Sequence, residues 1–150
     1  KNKFYIFDSF EGLSEFRKED KKINFDQNKA NNIRKHFTGN LELVKKNLSI
    51  FNDFLIFHKG WVPTKFKEVD NKNFSFVHID LDLYQPTLDS LNFFGPRMIK
   101  NGIILLDDYG STHFPGAELA TRKFLENSKE FLLLPLSFGS AILTKKNYND

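Results

Sequence analysis

Short apolar runs punctuate an otherwise polar chain: Phe4–Phe7, Phe54–Phe57, Phe74–Ile79, Ile103–Leu106, Phe131–Leu134 and Ala141–Thr144. Runs this short, rich in aromatic and branched side chains and bounded by turn residues, predict buried strands. Between them the period lengthens. Leu41, Val44 and Leu48 recur at helical spacing behind Asn40, which suits an N-cap. Leu88, Leu91 and Phe94 do the same behind Pro86, a residue at home in a first helical turn, and Gly95-Pro96 is expected to end that helix. Asn101-Gly102 is expected to turn the chain into the next strand, and Ala117, Ala120 and Phe124 mark a further helix. Residues 14–36 carry no sustained period and predict a surface loop or mobile lid, where substrate choice would lie. The last two runs flank Ser137-Phe138-Gly139 and predict an antiparallel pair. Alternating strands and helices argue for an α/β sheet covered on both faces, in one domain over residues 1–150.

Two of these runs end in carboxylates. Phe74–Ile79 leads into Asp80-Leu81-Asp82, and Ile103–Leu106 into Asp107-Asp108-Tyr109-Gly110. If the two strands are parallel neighbours, their acidic ends meet at the carboxyl edge, where open α/β sheets bind ligands. Carboxylates gathered there repel one another unless a cation joins them, and oxygen donors suit a hard divalent ion. The plainer alternative is that Asp107 and Asp108 open a turn and cap a helix.

Composition narrows the field. With no Cys, a disulfide scaffold, a thiolate zinc site and a cysteine nucleophile are excluded. The net charge of +3, from 22 basic and 19 acidic residues, is too mild and too scattered to argue for nucleic acid. No apolar stretch approaches the roughly 20 residues of a membrane helix. The expectation is a cytoplasmic protein with no membrane or nucleic-acid partner, its homo-oligomeric state left open. Because a core strand starts almost at Lys1, residues upstream are also expected.

Asp8-Ser9-Phe10-Glu11-Gly12-Leu13, Gly60-Trp61, Ile79-Asp80-Leu81-Asp82-Leu83-Tyr84, Pro96, Asp107-Asp108-Tyr109-Gly110 and Pro115-Gly116-Ala117 occur in that order. The ordered set resembles the macrocin O-methyltransferase family, a branch of the class I S-adenosylmethionine-dependent methyltransferases, from about Phe4 to Thr144. The resemblance implies a Rossmann-like seven-stranded sheet with helices on both faces. This chain would supply strands two to seven, with the first strand and its Gly-rich turn missing. It implies an O-methyltransferase acting on a sugar hydroxyl of a glycan or glycosylated natural product, with S-adenosylmethionine and Mg²⁺ or another divalent cation. The acceptor would be a small molecule or glycan.

By the same resemblance Asp80, Asp107 and Asp108 are metal ligands. Asp82, two residues on, either points the same way as Asp80 in a strand or lies in the turn and orients a ligand. Asp8 would accept the ribose hydroxyls of the cofactor; an Asx-type turn leading into Ser9 and Gly12 is the alternative. Ser9, Gly60 and Trp61 join it as cofactor-site candidates. His36, in the region where members of the family can carry a catalytic histidine, is a candidate base. His113, in the loop after Asp108, is a second, and Asp80 completes the catalytic set. His78 and Tyr84 read instead as packing residues, and His58 as lining a strand end. Two alternatives stay open: a glycosyltransferase using Asp80-Leu81-Asp82 as a metal-binding DxD, and a non-catalytic methyltransferase remnant.

Overall fold

In the computed structural model, which describes residues 2–21 and 26–147, the apolar runs form strands and the chain divides into two compact units. The first unit holds residues 1–13 and 26–70; the second holds 14–25 and 71–150.

In the first unit, β1 (Phe4–Asp8) pairs in parallel with β2 (Leu55–Lys59), from Phe4 opposite Leu55 to Asp8 opposite Lys59. Two helices intervene. α2 (Leu41–Asn47) starts as expected, with the Asn40 side chain accepting the Leu43 N–H at 3.1 Å. α1 (Gln27–His36) corrects the expectation of a loop through residue 36. Its sequence offers little apolar pattern, but Asp26 caps it, accepting from the N–H groups of Asn28 and Lys29 at 2.8 and 3.1 Å. Arg34, Lys35 and His36 suit the negative end of its dipole.

The second unit is built on a four-stranded sheet in the order β3 (Phe74–Ile79), β4 (Met98–Leu106), β6 (Ala141–Lys145), β5 (Phe131–Pro135). β3 and β4 are parallel; β6 runs antiparallel to both β4 and β5, as the closing pair predicts. Alternation along each strand decides the faces. Val77, Ile79, Ile104, Leu106, Leu143 and Phe131 are buried on one side. α3 (Tyr84–Arg97) and α4 (Pro115–Asn127) contribute Leu91, Phe94, Ala120 and Phe124 to the same core. Phe76, Ile103, Leu132 and Leu134, on the other side, are exposed.

Two local expectations are corrected. α3 does not stop at Gly95 but runs through Pro96 to Arg97. Its last carbonyls find cationic donors: Lys145 Nζ reaches the Gly95, Pro96 and Met98 oxygens at 3.0–3.3 Å, and Arg97 donates back to Phe93 at 2.8 Å. Asn101-Gly102 is not a turn before a strand. It lies inside β4, with Asn101 at φ +59°, where the register with β3 shifts.

Candidate active site

β3 and β4 run side by side to Ile79 opposite Leu106, and the Asp107 N–H extends the ladder to the Ile79 carbonyl at 3.0 Å. The two acidic turns therefore leave one sheet edge together. Carboxylate oxygens of Asp80, Asp82 and Asp108 lie within 4.8 Å of one another. Asp80 is exposed, Asp108 half-buried and Asp82 buried. The turn is strained: Asp82 sits at φ +59°, unusual for a residue with a Cβ. It is held there by a hydrogen bond from its own N–H to Asp108 Oδ2 at 3.1 Å.

Burial pushes the Asp82 carboxyl up to about 7, with the charges of Asp108, Asp80 and Asp107 adding to it. Burial likewise raises Asp108 to about 6, reinforced by Asp80 and Asp107 and opposed by the Asp82 N–H and by His78. The cluster thus holds protons well above the ordinary aspartate range, because desolvated like charges are costly together. Oxygen donors at this spacing fit a hard divalent cation, which would relieve that repulsion. Of the expected ligands, Asp80 and Asp108 belong to this trio. Asp107 lies beside it, half-exposed, 4.0 Å from His78 Nε2. Asp82, for which both a shared direction with Asp80 and a place in the turn were open, lies in the turn at positive φ and belongs to the trio.

The loop after Asp108 is fixed by close backbone approach. Gly110 N–H donates to the Gly139 carbonyl at 2.6 Å, and a Cβ on Gly110 would meet Gly139 Cα at 3.2 Å. His113 is exposed beyond it, its N–H bonded to Ser111 Oγ at 3.2 Å. His78 is not buried as expected but 40% exposed in its side chain, on the same sheet face as the exposed Phe76. Tyr84 opens α3, half-buried.

The cofactor-site candidates meet at the carboxyl edge of the first unit. Gly60 N–H donates to the Asp8 carbonyl at 2.9 Å, and Trp61 Nε1–H to Glu11 Oε2 at 3.2 Å. Asp8 Oδ1 accepts the Phe10 N–H at 2.6 Å, so the Asx turn exists, on an exposed residue. Ser9, buried, bridges the turn by accepting from Glu11 N–H and donating to the Gly12 carbonyl. Gly60 adopts φ +143°, and a Cβ there would lie 2.6 Å from the Lys65 side chain.

His36 ends α1, exposed, with Nδ1 on the Asn32 carbonyl at 2.8 Å. His58 is the more constrained histidine of this unit. It is buried, hydrogen-bonded through Nδ1 to Glu68 and stacked on Phe7 at 4.7 Å, with Nε2 unpartnered among the described residues. The bond from His58 is the main reason Glu68 is held below the usual carboxylate range. The residue that sequence reasoning missed is Asp20. Buried at 4% exposure, it lay in a polar stretch with no apolar pattern to flag it.

Among families of known proteins, the model for macrocin-O-methyltransferase (TylF) matches residues 1–131. A curated relative from Streptomyces olivaceus, 8-demethyl-8-(2,3-dimethoxy-alpha-L-rhamnosyl)-tetracenomycin-C 4'-O-methyltransferase, is 25% identical over 111 residues, covering 70% of this chain and 41% of its own length. The solved O-methyltransferase NovP superposes with a TM-score of 0.74 at 19% identity, covering 97% of this chain and 60% of NovP. The calicheamicin methyltransferase CalS11 gives 0.71 at 22% identity, covering 99% and 61%. These likenesses establish a class I methyltransferase fold, and the chain spans less than two thirds of each of these proteins. Among the described residues, no helix is long and apolar enough to cross a membrane.

Proposed function

This chain belongs to the macrocin O-methyltransferase family, and from that premise we propose that it serves methyl transfer from S-adenosylmethionine to a sugar hydroxyl of a glycosylated natural product or glycan. The observation that carries the reading is the carboxylate cluster of Asp80, Asp82 and Asp108 at the shared end of β3 and β4. A tetracenomycin rhamnosyl methyltransferase among the relatives supports a sugar acceptor.

Asp80 and Asp108 would hold a divalent cation, with Asp82 or Asp107 as the third carboxylate. When bound, such an ion orients vicinal hydroxyls and lowers the pKa of the one to be methylated. The chain's own contribution is position and proton handling. Asp82 N–H fixes the Asp108 carboxylate, and without a cation burial and mutual repulsion raise Asp82 to about 7 and Asp108 to about 6, so these are protons that a bound cation would displace. The exposed Asp80 and His113, five residues beyond Asp108, are the groups of this unit proposed to take the acceptor proton; His36 is the proposed alternative base in the first unit. Asp8 would accept the ribose hydroxyls, with Ser9 stiffening the turn, Gly60 holding its positive φ beside Lys65 and Trp61 flanking the nucleoside.

Calorimetric titration of S-adenosylmethionine into the full natural protein tests this. Saturable binding that Asp8→Ala weakens at least tenfold supports the reading. Absence of binding, with a nucleotide sugar binding instead, transfers the Asp80-Leu81-Asp82 motif to glycosyl transfer.

A further inference from the structure

α3 begins without a cap of its own. Leu83, the residue before it, is apolar and offers no side-chain acceptor, so the Tyr84 N–H needs a partner from elsewhere. That partner is Asp20, 64 residues earlier, whose Oδ1 accepts it at 2.6 Å. Asp20 Oδ2 accepts the Arg17 N–H at 2.8 Å, tying the carboxylate to its own segment.

The niche is shaped for this group. A Cβ on Gly116 would lie 1.9 Å from Asp20 Oδ1 and 2.7 Å from the Tyr84 nitrogen. Gly116 is the second residue of α4, so the carboxylate lies against the first turns of both helices, where the helix dipoles favour negative charge. This accounts for the glycine of Pro115-Gly116-Ala117, which the chemistry of the cluster does not use.

The same contact borders the acidic turn. Asp108 accepts the N–H of residue 82 and Asp20 the N–H of residue 84, one on each side of Leu83, which is wholly buried. Two carboxylates from distant segments thus grip the backbone on which Asp82 holds its positive φ.

We propose that Asp20 is a positioning residue that latches segment 14–21 onto the first turns of α3 and α4 and thereby sets the geometry of the Asp80–Asp82 turn. The inference rests on the cation-binding reading of that turn and adds a determinant outside it.

The test compares wild type with Asp20→Ala, Asp20→Asn and Gly116→Ala in the full natural protein. Two readouts are taken: Mn²⁺ affinity by calorimetry, and amide hydrogen exchange by mass spectrometry. Asp20→Ala should weaken Mn²⁺ about tenfold and accelerate exchange at least tenfold in 14–21 and 82–86, while β4 and β6 stay protected. Asp20→Asn, which keeps one acceptor for Tyr84 N–H, should recover most of the affinity. Gly116→Ala, which fills the niche, should mimic Asp20→Ala, and the double variant should lose no more than the worse single one. Unchanged exchange at 82–86 in Asp20→Ala, or acceleration spread evenly over the whole sheet, overturns the latch. If wild type binds no Mn²⁺, the cation reading fails, and the latch is judged by exchange at 82–86 alone. If Asp20→Ala does not fold, Asp20→Asn and Gly116→Ala carry the same comparison.

Discussion

Asp82 is the residue on which the local account turns, because it is at once buried, charged and strained. Its carboxyl, at about 7, and that of Asp108, at about 6, bind protons more tightly in the folded chain than in the unfolded one. Their contribution to stability is therefore complete below about pH 4 and is lost as pH rises through 6 and 7. Thermal denaturation of the cation-free protein across that range should show the midpoint falling, and Mg²⁺ should restore it most at the alkaline end. Cation affinity should rise steeply between pH 5 and 7 and then level, because binding must displace those protons; calorimetry in buffers of different ionisation enthalpy would count them. Asp82→Asn removes the buried charge, and Asn tolerates the positive φ. It should raise the cation-free midpoint at pH 8 by roughly 4 °C, the scale of one to two kcal/mol in a chain this size, while weakening cation binding. Little of this could be read from sequence. The Asp80-Leu81-Asp82 and Asp107-Asp108 runs marked the right sheet edge, but the choice of Asp82 over Asp107 for the trio depends on a left-handed turn. Nothing in the residue type announces it.

At the level of elements, strands were legible and helix ends were not. The apolar runs at 74–79, 131–134 and 141–144 match β3, β5 and β6 to within a residue, because burial on at least one face imposes their composition. α1 escaped because a helix with only Ala30 buried needs no apolar stripe, only its Asp26 cap. Asp26→Ala should cost about 1 kcal/mol and be visible as a local loss of exchange protection in 27–36 rather than as a lower global midpoint. α3 outran its Gly95-Pro96 signal because Lys145, from β6, supplies donors to its last carbonyls. Gly95 serves packing instead: a Cβ there would fall 2.6 Å from the Phe124 ring. Gly95→Ala should destabilise by about 1–3 kcal/mol through overpacking against α4, read by chemical denaturation, with cation affinity little changed.

The described residues form a two-stranded unit carrying Asp8, Ser9, Gly60 and Trp61 and a four-stranded unit carrying the aspartates. Family and fold class were legible in the order of motifs, since those starting at Asp8, Gly60, Asp80 and Asp107 stand at or just after the ends of β1, β2, β3 and β4. Segment 14–21 was not, because no apolar pattern flags it, and its Asp20 carboxylate accepts the Tyr84 N–H of the second unit. The central claim is methyl transfer to a sugar hydroxyl assisted by the aspartate cluster. It is tested most directly by incubating the full natural protein with methyl-labelled S-adenosylmethionine and a panel of rhamnosylated and related glycosides, with Mg²⁺ or with EDTA. The account predicts label on a sugar oxygen with Mg²⁺, reduced at least a hundredfold by EDTA or by Asp108→Asn. Label transfer undiminished by EDTA would contradict the role given to the cluster, and a protein that binds the donor yet labels no glycoside would contradict the acceptor.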